Sequence, residues 1–405
     1  MPRRAAIAAC SALLLGLLFA YGSMLKSGDA GLKQTDFVPY YSAGRLVADG
    51  HGDHIFDSGA VAKEEAALVY PLKVKNGVMP YLYAPYFAVA LVPLAVLPYA
   101  VAYLVWLLLN CAVLALVVYR FQRYANLRGS DARLFWVAGL AFLPVFIALA
   151  QGQVSILLLA LLAATFFLFR SGRTALAGLV LAPALVKAPY LVPFLLVFAA
   201  RGQWRALISF SIGALGLLLL PMTVLGVRTD AQYFHLLTVA ATWHTQIGGF
   251  EPQFNHSLAG FTGLLLPSPW ATLVSLAVGG SALLLLVGCA RSSNDVDLAF
   301  ALAVVVAILV TPHVLVHDLV LLLLPAAVVL RHRQIARTGA IALLAGGYGA
   351  MLVGFPLVSI VPLQLSVLVM VGLGAFLLAA SRRISPSGTA TVGLQESDLR
   401  MSVAQ

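Results

Sequence analysis

Apolar runs of about 20 residues recur along most of this chain, separated by short polar turns. The runs do not alternate polar and apolar positions. In lipid they must therefore be helices, because the strands of a membrane barrel alternate. Full-length runs occur at 5–25, 99–119, 134–150, 154–169, 206–225, 271–289, 298–312, 316–330, 339–355 and 361–380. Two further apolar stretches break the pattern. Residues 86–98, closed by Pro85 and Pro98, are too short to cross a bilayer, and residues 174–200 contain Lys187-Ala188-Pro189 in their middle. The pattern predicts an all-α polytopic membrane protein with about 10–12 transmembrane or half-span helices.

Composition agrees. Of 405 residues, 61% are hydrophobic and 10% are charged, and the mean hydropathy is +0.97. A water-solvated domain carries about 25% charged residues. The net charge of +10 is not a nucleic-acid signature. The arginines fall in short clusters between apolar runs, as the positive-inside rule expects: Arg3-Arg4, Arg120 to Arg133, Arg170/Arg173, Arg201/Arg205, Arg331 to Arg337 and Arg382-Arg383. Cys10, Cys111 and Cys289 stand singly in apolar segments and suggest neither a disulfide framework nor a metal site.

These clusters predict a topology. The run 5–25 reads as a retained anchor rather than a cleaved signal, with a cytoplasmic N-terminus and residues 26–80 outside. Residues 174–200 carry arginines at both ends, so both ends should lie on one side. That makes the stretch a hairpin of two half-length helices with Lys187 at its tip, broken by Pro189. Such breaks are tolerated where they line a polar cavity. Residues 86–98 must likewise not cross, or the basic loop 120–133 would land outside. The chain then reads as one integral membrane domain, 1–383. Its first outer loop is 26–80, its second is 226–256, and a polar cytoplasmic tail, 384–405, has the composition of a disordered segment. No internal repeat is evident, which weakens an inverted-repeat transporter.

The first outer loop holds Asp29, Asp36, Asp49, Asp53, Asp57, Glu64 and Glu65. Segments 39–49 and 59–70 read as short amphipathic helices along the membrane face, joined by a turn at Gly50-His51-Gly52. The second outer loop contains Trp243-His244, Glu251, Asn255 and His256.

Polar groups at membrane depth point to function. Asp36, just beyond the first span, can deprotonate an acceptor hydroxyl. It can equally serve as a helix N-cap, with Pro39 at an early helical position. Lys187 needs a counter-charge, either a lipid phosphate or a carboxylate from another helix. His313 and His317, four apart, would share one helix face. They lack the glutamate of a zincin motif, so contacts to phosphate, sugar or backbone suit them better than a metal. Gln151, Gln153 and Asn255 are hydrogen-bonding groups at span ends that ordinary capping also explains.

The order of these features resembles glycosyltransferase family 87. The residues that carry the resemblance begin with Asp36-Phe37-x-x-Tyr40-Tyr41, Ala43, the Gly50 turn and Ile55-Phe56-Asp57. Tyr83-Ala84-Pro85 follows, then Pro93-Leu94-Ala95-Val96-Leu97-Pro98, Trp106 and Asn110, with Ala84 where the family usually has proline. Gly152-Gln153-Val154-Ser155, Ala177-Gly178, Lys187-Ala188-Pro189, Trp204-Arg205-Ala206, Asn255-His256-Ser257-Leu258, Pro312 and His317-Asp318 complete it, over roughly residues 30–330. The family is similar to polyprenyl-phosphate-mannose-dependent mannosyltransferases. The resemblance implies a glycosyltransferase C-type fold whose first outer loop carries the catalytic acid. It further implies a polyprenyl-phosphate sugar donor, a lipid or glycan acceptor, and no cofactor or metal. The expected location is a bacterial inner membrane, with the active site on the periplasmic side. By that resemblance Asp36 is the base. Lys187, His317, His313, Tyr40, Tyr41 and Gln153 are candidates for the donor phosphate and sugar, and Tyr83, Asn255 and His256 for the acceptor side. Two alternatives stay open: a transporter or lipid flippase using the same charges as a relay, and an aminosugar or arabinose transferase of the same superfamily.

Overall fold

A computed structural model describes residues 2–27, 29–74, 78–240, 251–332 and 337–384. Among them every regular element is helical and there is no strand. In chain order the helices are α1 (Pro2–Lys26), the single turn α2 (Asp29–Leu32), α3 (Phe37–Ala48), α4 (Ser58–Val69), α5 (Pro85–Ala95), α6 (Tyr99–Tyr124), α7 (Gly129–Leu140), α8 (Leu143–Ala150), α9 (Ser155–Arg170), α10 (Thr174–Leu181), α11 (Val192–Ala200), α12 (Trp204–Leu225), α13 (Val227–Ala240), α14 (Leu258–Leu265), α15 (Trp270–Ser292), α16 (Val296–Val310), α17 (Leu323–Arg331), α18 (Arg337–Val358) and α19 (Leu365–Ile384). Among the described residues, six helical runs are long and apolar enough to cross a bilayer, or seven if the bent pair α7–α8 is one crossing. The protein is an all-helical polytopic membrane protein.

Side-chain contacts sort the helix ends into two faces. Arg3 at the start of α1 pairs with Asp131 at the start of α7. Arg170 at the end of α9 pairs with Asp297 at the start of α16, and Arg331 at the end of α17 lies 3.7 Å from the same carboxylate. Arg201 after α11 donates to the Ser293 carbonyl after α15. These termini form a basic face. At the other end, the hydroxyls of Tyr21 (α1) and Tyr103 (α6) are 3.0 Å apart, and Thr35 meets Tyr99. Helix α5 spans 11 residues, about 16 Å at 1.5 Å per residue, and does not cross. Hence α1 and α6 are consecutive crossings, and the basic loop 120–133 shares a face with the N-terminus.

By length alone, Thr174–Ala200 passes as a single crossing of 27 residues. Its ends exclude that. Phe169, at the end of α9 just before Thr174, has its ring centroid 4.9 Å from that of Phe198, whereas a straight helix would carry Phe198 about 36 Å away from Thr174. The 3-10 stretch Ala182–Leu191 joins α10 to α11, and the backbone leaves helical geometry at Lys187 (φ −128°, ψ 65°). The chain therefore enters from the basic face, turns at Lys187 and returns. Helices α16 and α17 repeat the device. They begin at Asp297 and end at Arg331 on the basic face, with residues 311–322 as the interior turn.

Three expectations change. The apolar run 134–150 is two helices bent by 46° between Leu140 and Leu143, where Pro144 fits the first turn of the second. Helix α3 is more deeply buried than a helix resting on a membrane surface would be. Nine of its residues, from Phe37 to Gly44 and Leu46, are buried, because it packs against α5, α4 and α6, while Arg45 stays partly exposed. Part of the second outer loop is the helix α13. Trp243 and His244 lie outside the described residues, as does the tail beyond Ile384.

A candidate active site built on Asp36

The first layer is aromatic. Phe37 is fully buried. It stacks on Trp106 at 5.8 Å and meets Tyr40 and Tyr103 edge-on. Burying such rings supplies much of the local stability, about 3–5 kcal/mol lost for Phe→Ala in a core. The Trp106 indole N–H donates to the Gly152 carbonyl at 2.7 Å, which ties this wall to the turn after α8.

That turn aims the polar groups. Gly152 has φ +67° and closes α8, and a Cβ there would sit 2.8 Å from the Phe37 Cβ. Glycine is required on both counts. The turn delivers Gln151 and Gln153 to Asp36. The Gln153 amide N–H donates to Asp36 Oδ2 at 2.6 Å, and Gln151 Oε1 accepts from the Asp36 backbone N–H at 3.3 Å. Gln153 Oε1 accepts from the Tyr40 hydroxyl at 2.8 Å, and the Tyr40 and Tyr83 hydroxyls are 2.6 Å apart. Since the amide oxygen is committed to tyrosine donors, the amide nitrogen must face the carboxylate.

Asp36 stands at the N-cap position of α3, but its side chain makes no cap bond and its backbone is already helical (φ −69°, ψ −1°). Capping needs an extended backbone for the side chain to reach back to the first turn. The carboxylate is therefore turned away from its own helix and held by Gln153. Burial raises its pKa above the ordinary carboxylate value. The Gln153 hydrogen bond and the charge of Lys187 pull it back down, and Asp318 adds to the rise.

The second layer comes from the two interior turns. Lys187 Nζ bonds Asp318 Oδ1 and lies 3.3 Å from Ser155 Oγ. Ser155 donates to the same carboxylate oxygen at 2.5 Å. The side chains of Lys187 and Asp318 are 11% and 4% exposed, so neither charge could stay ionised there alone. A carboxylate from another helix is thus the counter-charge of Lys187. An ammonium has three donors, and Asp318 and Ser155 take two. His317 is buried with Nε2 3.7 Å from Asp318.

The remaining predicted residues divide. Tyr40 and Tyr83 join Asp36 and Gln153. Tyr41 does not, since its hydroxyl donates to the Leu97 carbonyl at 2.7 Å and its ring packs on Tyr99. Asn255 is spent on backbone. Its amide donates to the Pro312 carbonyl at 2.7 Å and accepts from Val314 N–H at 3.0 Å. It pins the turn that carries His317 and Asp318. His256 pairs with Ser366 at 2.7 Å, and burial lowers its pKa to about 4, which keeps the imidazole neutral. His313 and His317 do not share a helix face. Residues 311–315 are non-helical, and only His317 lies on the 3-10 turn Val316–Leu322. Pro312 and the Asn255 staple hold that segment out of helix. Asp318, Ser155 and Gln151 also belong to this cluster; in the sequence Gln151 reads only as a span-end hydrogen-bonding group, and Ser155 and Asp318 are given no role. The readable signal was Asp318 itself, an acid inside a long apolar run.

One group of possible metal ligands, Asp295, Asp297 and His332, has its donor atoms within 4.8 Å of one another. It lies on the basic face, away from Asp36. Asp297 is engaged by Arg170 and Tyr124, and Asp295 caps α16.

The interior turns thus set a buried ion pair behind an acid and an aromatic wall in an all-helical membrane protein. Residues 81–312 match the family model of glycosyltransferase family 87, and since this is more than half the chain, the protein belongs to that family and is a membrane glycosyltransferase. The matched region contains Tyr83, Gln153, Lys187, Asn255 and His256. Asp36 precedes it, and His313, His317 and Asp318 follow it. No curated protein sequence and no solved structure matches the chain.

Proposed function

We propose that the protein transfers a sugar, mannose or another hexose, from a polyprenyl-phosphate donor to a lipid or glycan acceptor, with inversion and with Asp36 as general base. The observation that carries this reading is the state of Asp36. Its carboxylate forgoes the cap of its own helix and is presented by Gln153 on the face opposite the arginine clusters. In the reaction the acceptor hydroxyl oxygen attacks the anomeric carbon as its proton passes to Asp36. The bond from that carbon to the phosphate oxygen breaks, and the electron pair leaves with the polyprenyl phosphate. One carboxylate suffices for this single displacement, whereas a retaining route needs a second as nucleophile.

Lys187 has one donor beyond those taken by Asp318 and Ser155, and a phosphate oxygen of the leaving group is the partner that its position and charge favour. His317, neighbouring the pair, is a candidate for the same phosphate or for the sugar. Tyr40 and Tyr83 orient the Gln153 amide, and Asn255 positions the 312–318 turn. The positive-inside rule puts the arginine face in the cytoplasm, hence Asp36 on the periplasmic or extracellular side of a bacterial cell membrane.

The test is incubation of purified protein with radiolabelled polyprenyl-phosphate mannose, glucose or arabinose and membrane lipids. Label moving to the acceptor from a polyprenyl-phosphate hexose supports the reading. Transfer only from nucleotide sugars overturns it, and so does movement of intact donor across vesicles without transfer.

A further inference from the structure

The basic face holds a cavity remote from Asp36. Its volume is about 430 Å³, and it opens between α6, α9 and α17. Four arginines converge on it: Arg120, Arg123, Arg170 and Arg331. Aromatic rings fix three of them. The Arg120 guanidinium lies 5.2 Å from the Phe167 centroid, and those of Arg170 and Arg331 lie 5.5 and 4.8 Å from that of Tyr124. Behind this lining, Asp297 accepts from Tyr124 at 2.6 Å and from Arg170 at 3.0 Å. That carboxylate thus meets two of the four guanidinium groups, Arg170 and, at 3.7 Å, Arg331. Among the described residues no acid pairs with Arg120 or Arg123, so the cavity has an uncompensated positive charge and forked donors suited to phosphate.

Its position says what carries that phosphate. From Trp106, beside Asp36, to Tyr124 is 18 residues of one helix, about 27 Å. That is close to the thickness of a bilayer's hydrocarbon core, so the cavity lies at the opposite lipid–water boundary. Val105, Leu109 and Leu116 are 41%, 45% and 60% exposed, and their spacing puts them on the face of α6 that ends in Arg120. Tyr119, 48% exposed, stands at the mouth like an interfacial anchor. A phosphate in the cavity can continue into an acyl chain along that stripe.

We propose that this pocket binds the phosphate headgroup of an anionic phospholipid in the leaflet on the basic face, its acyl chain lying along α6. The assignment does not depend on the donor or on Asp36.

The test compares phosphatidylglycerol with phosphatidylcholine for retention on the full-length protein, read by native mass spectrometry from mixed nanodiscs. The wild type should retain phosphatidylglycerol selectively. Arg120→Gln/Arg123→Gln should lose about thirtyfold in retention, the effect expected of two interfacial arginines, with an unchanged melting temperature. Arg128→Gln/Arg133→Gln removes equal charge from the same loop outside the pocket and should retain the lipid like the wild type. Equal retention by the Arg120/Arg123 variant overturns the site. Equal loss in the Arg128/Arg133 variant reduces it to general surface charge and also overturns it. Displacement by millimolar inorganic phosphate would assign the pocket to a soluble phosphate compound and overturn the lipid assignment.

Discussion

The pair Lys187–Asp318 makes the sharpest stability prediction. Both charges are almost out of contact with solvent, and they come from the tips of two separate interior turns, 182–191 and 316–322. Asp318→Asn leaves an ammonium with one neutral amide and Ser155, and Lys187→Met leaves a carboxylate with Ser155 and the His317 ring 3.7 Å away. Breaking a buried pair by removing one partner costs about 3–5 kcal/mol, because the survivor is an uncompensated charge. Replacing both charges by groups of similar volume costs far less. Each single variant should therefore melt at least about 5 °C lower in detergent, while Lys187→Met/Asp318→Leu recovers most of the loss. The same set reports on Asp36, since Lys187 lowers its pKa and Asp318 raises it. A base works only when ionised. The acid limb of kcat/KM should therefore move to higher pH in Lys187→Met and to lower pH in Asp318→Asn. Additive melting losses, with a double variant as unstable as the sum of the singles, would refute the reasoning. So would an acid limb that stays fixed in both single variants.

Three further perturbations follow from the geometry. Gln153→Ala removes a charge-assisted hydrogen bond of about 1.5–3 kcal/mol. It should lower kcat/KM by roughly 10- to 100-fold and shift the acid limb to higher pH, because the lost donor stabilises ionised Asp36; an unmoved pH profile would count against the bridge. Gly152→Ala must adopt φ +67° and press a methyl on Phe37. Thermal shift should show destabilisation of about 1–2 kcal/mol or more, with activity falling alongside, and a neutral variant would contradict the described turn. Glu65 on α4 is fully buried with Oε1 unpartnered, and burial raises its pKa to about 7. The folded state therefore holds its proton where the unfolded state releases it. Stability should fall as pH rises from about 4.5 to 7, by about 3 kcal/mol in all, and level off above. Glu65→Gln should flatten that slope in melting curves, and a slope that survives would assign it to another group.

The parts legible in the sequence were those written in long-range pattern. Apolar runs foretold the helices, and arginine clusters foretold which ends share a face, including the return of 174–200 and the short element before α6. The depth to which segment 37–48 is buried was not legible, because Ser42, Arg45 and two tyrosines give it the pattern of a surface helix, and its cover comes from α4 and α5, which only tertiary packing places. Asp36 could not be separated from an N-cap locally, since the same residue serves both. What speaks against the cap is a backbone angle and a glutamine more than a hundred positions later. The His313/His317 spacing misled because periodicity assumes a helix, and Pro312 and Asn255 prevent one. The Lys187–Asp318 pair was within reach, because an acid and a lysine buried in separate apolar runs are each other's cheapest solution.

In the proposed reaction Asp36 takes the acceptor proton. Asp36→Asn keeps the shape of the side chain and a group that can still meet Gln153, but has no basic oxygen of comparable strength. Initial rates of sugar transfer from the radiolabelled polyprenyl-phosphate donor should fall by about 10²- to 10⁴-fold with donor KM and melting temperature little changed. Turnover within a few fold of the wild type in a folded Asp36→Asn protein would contradict the account.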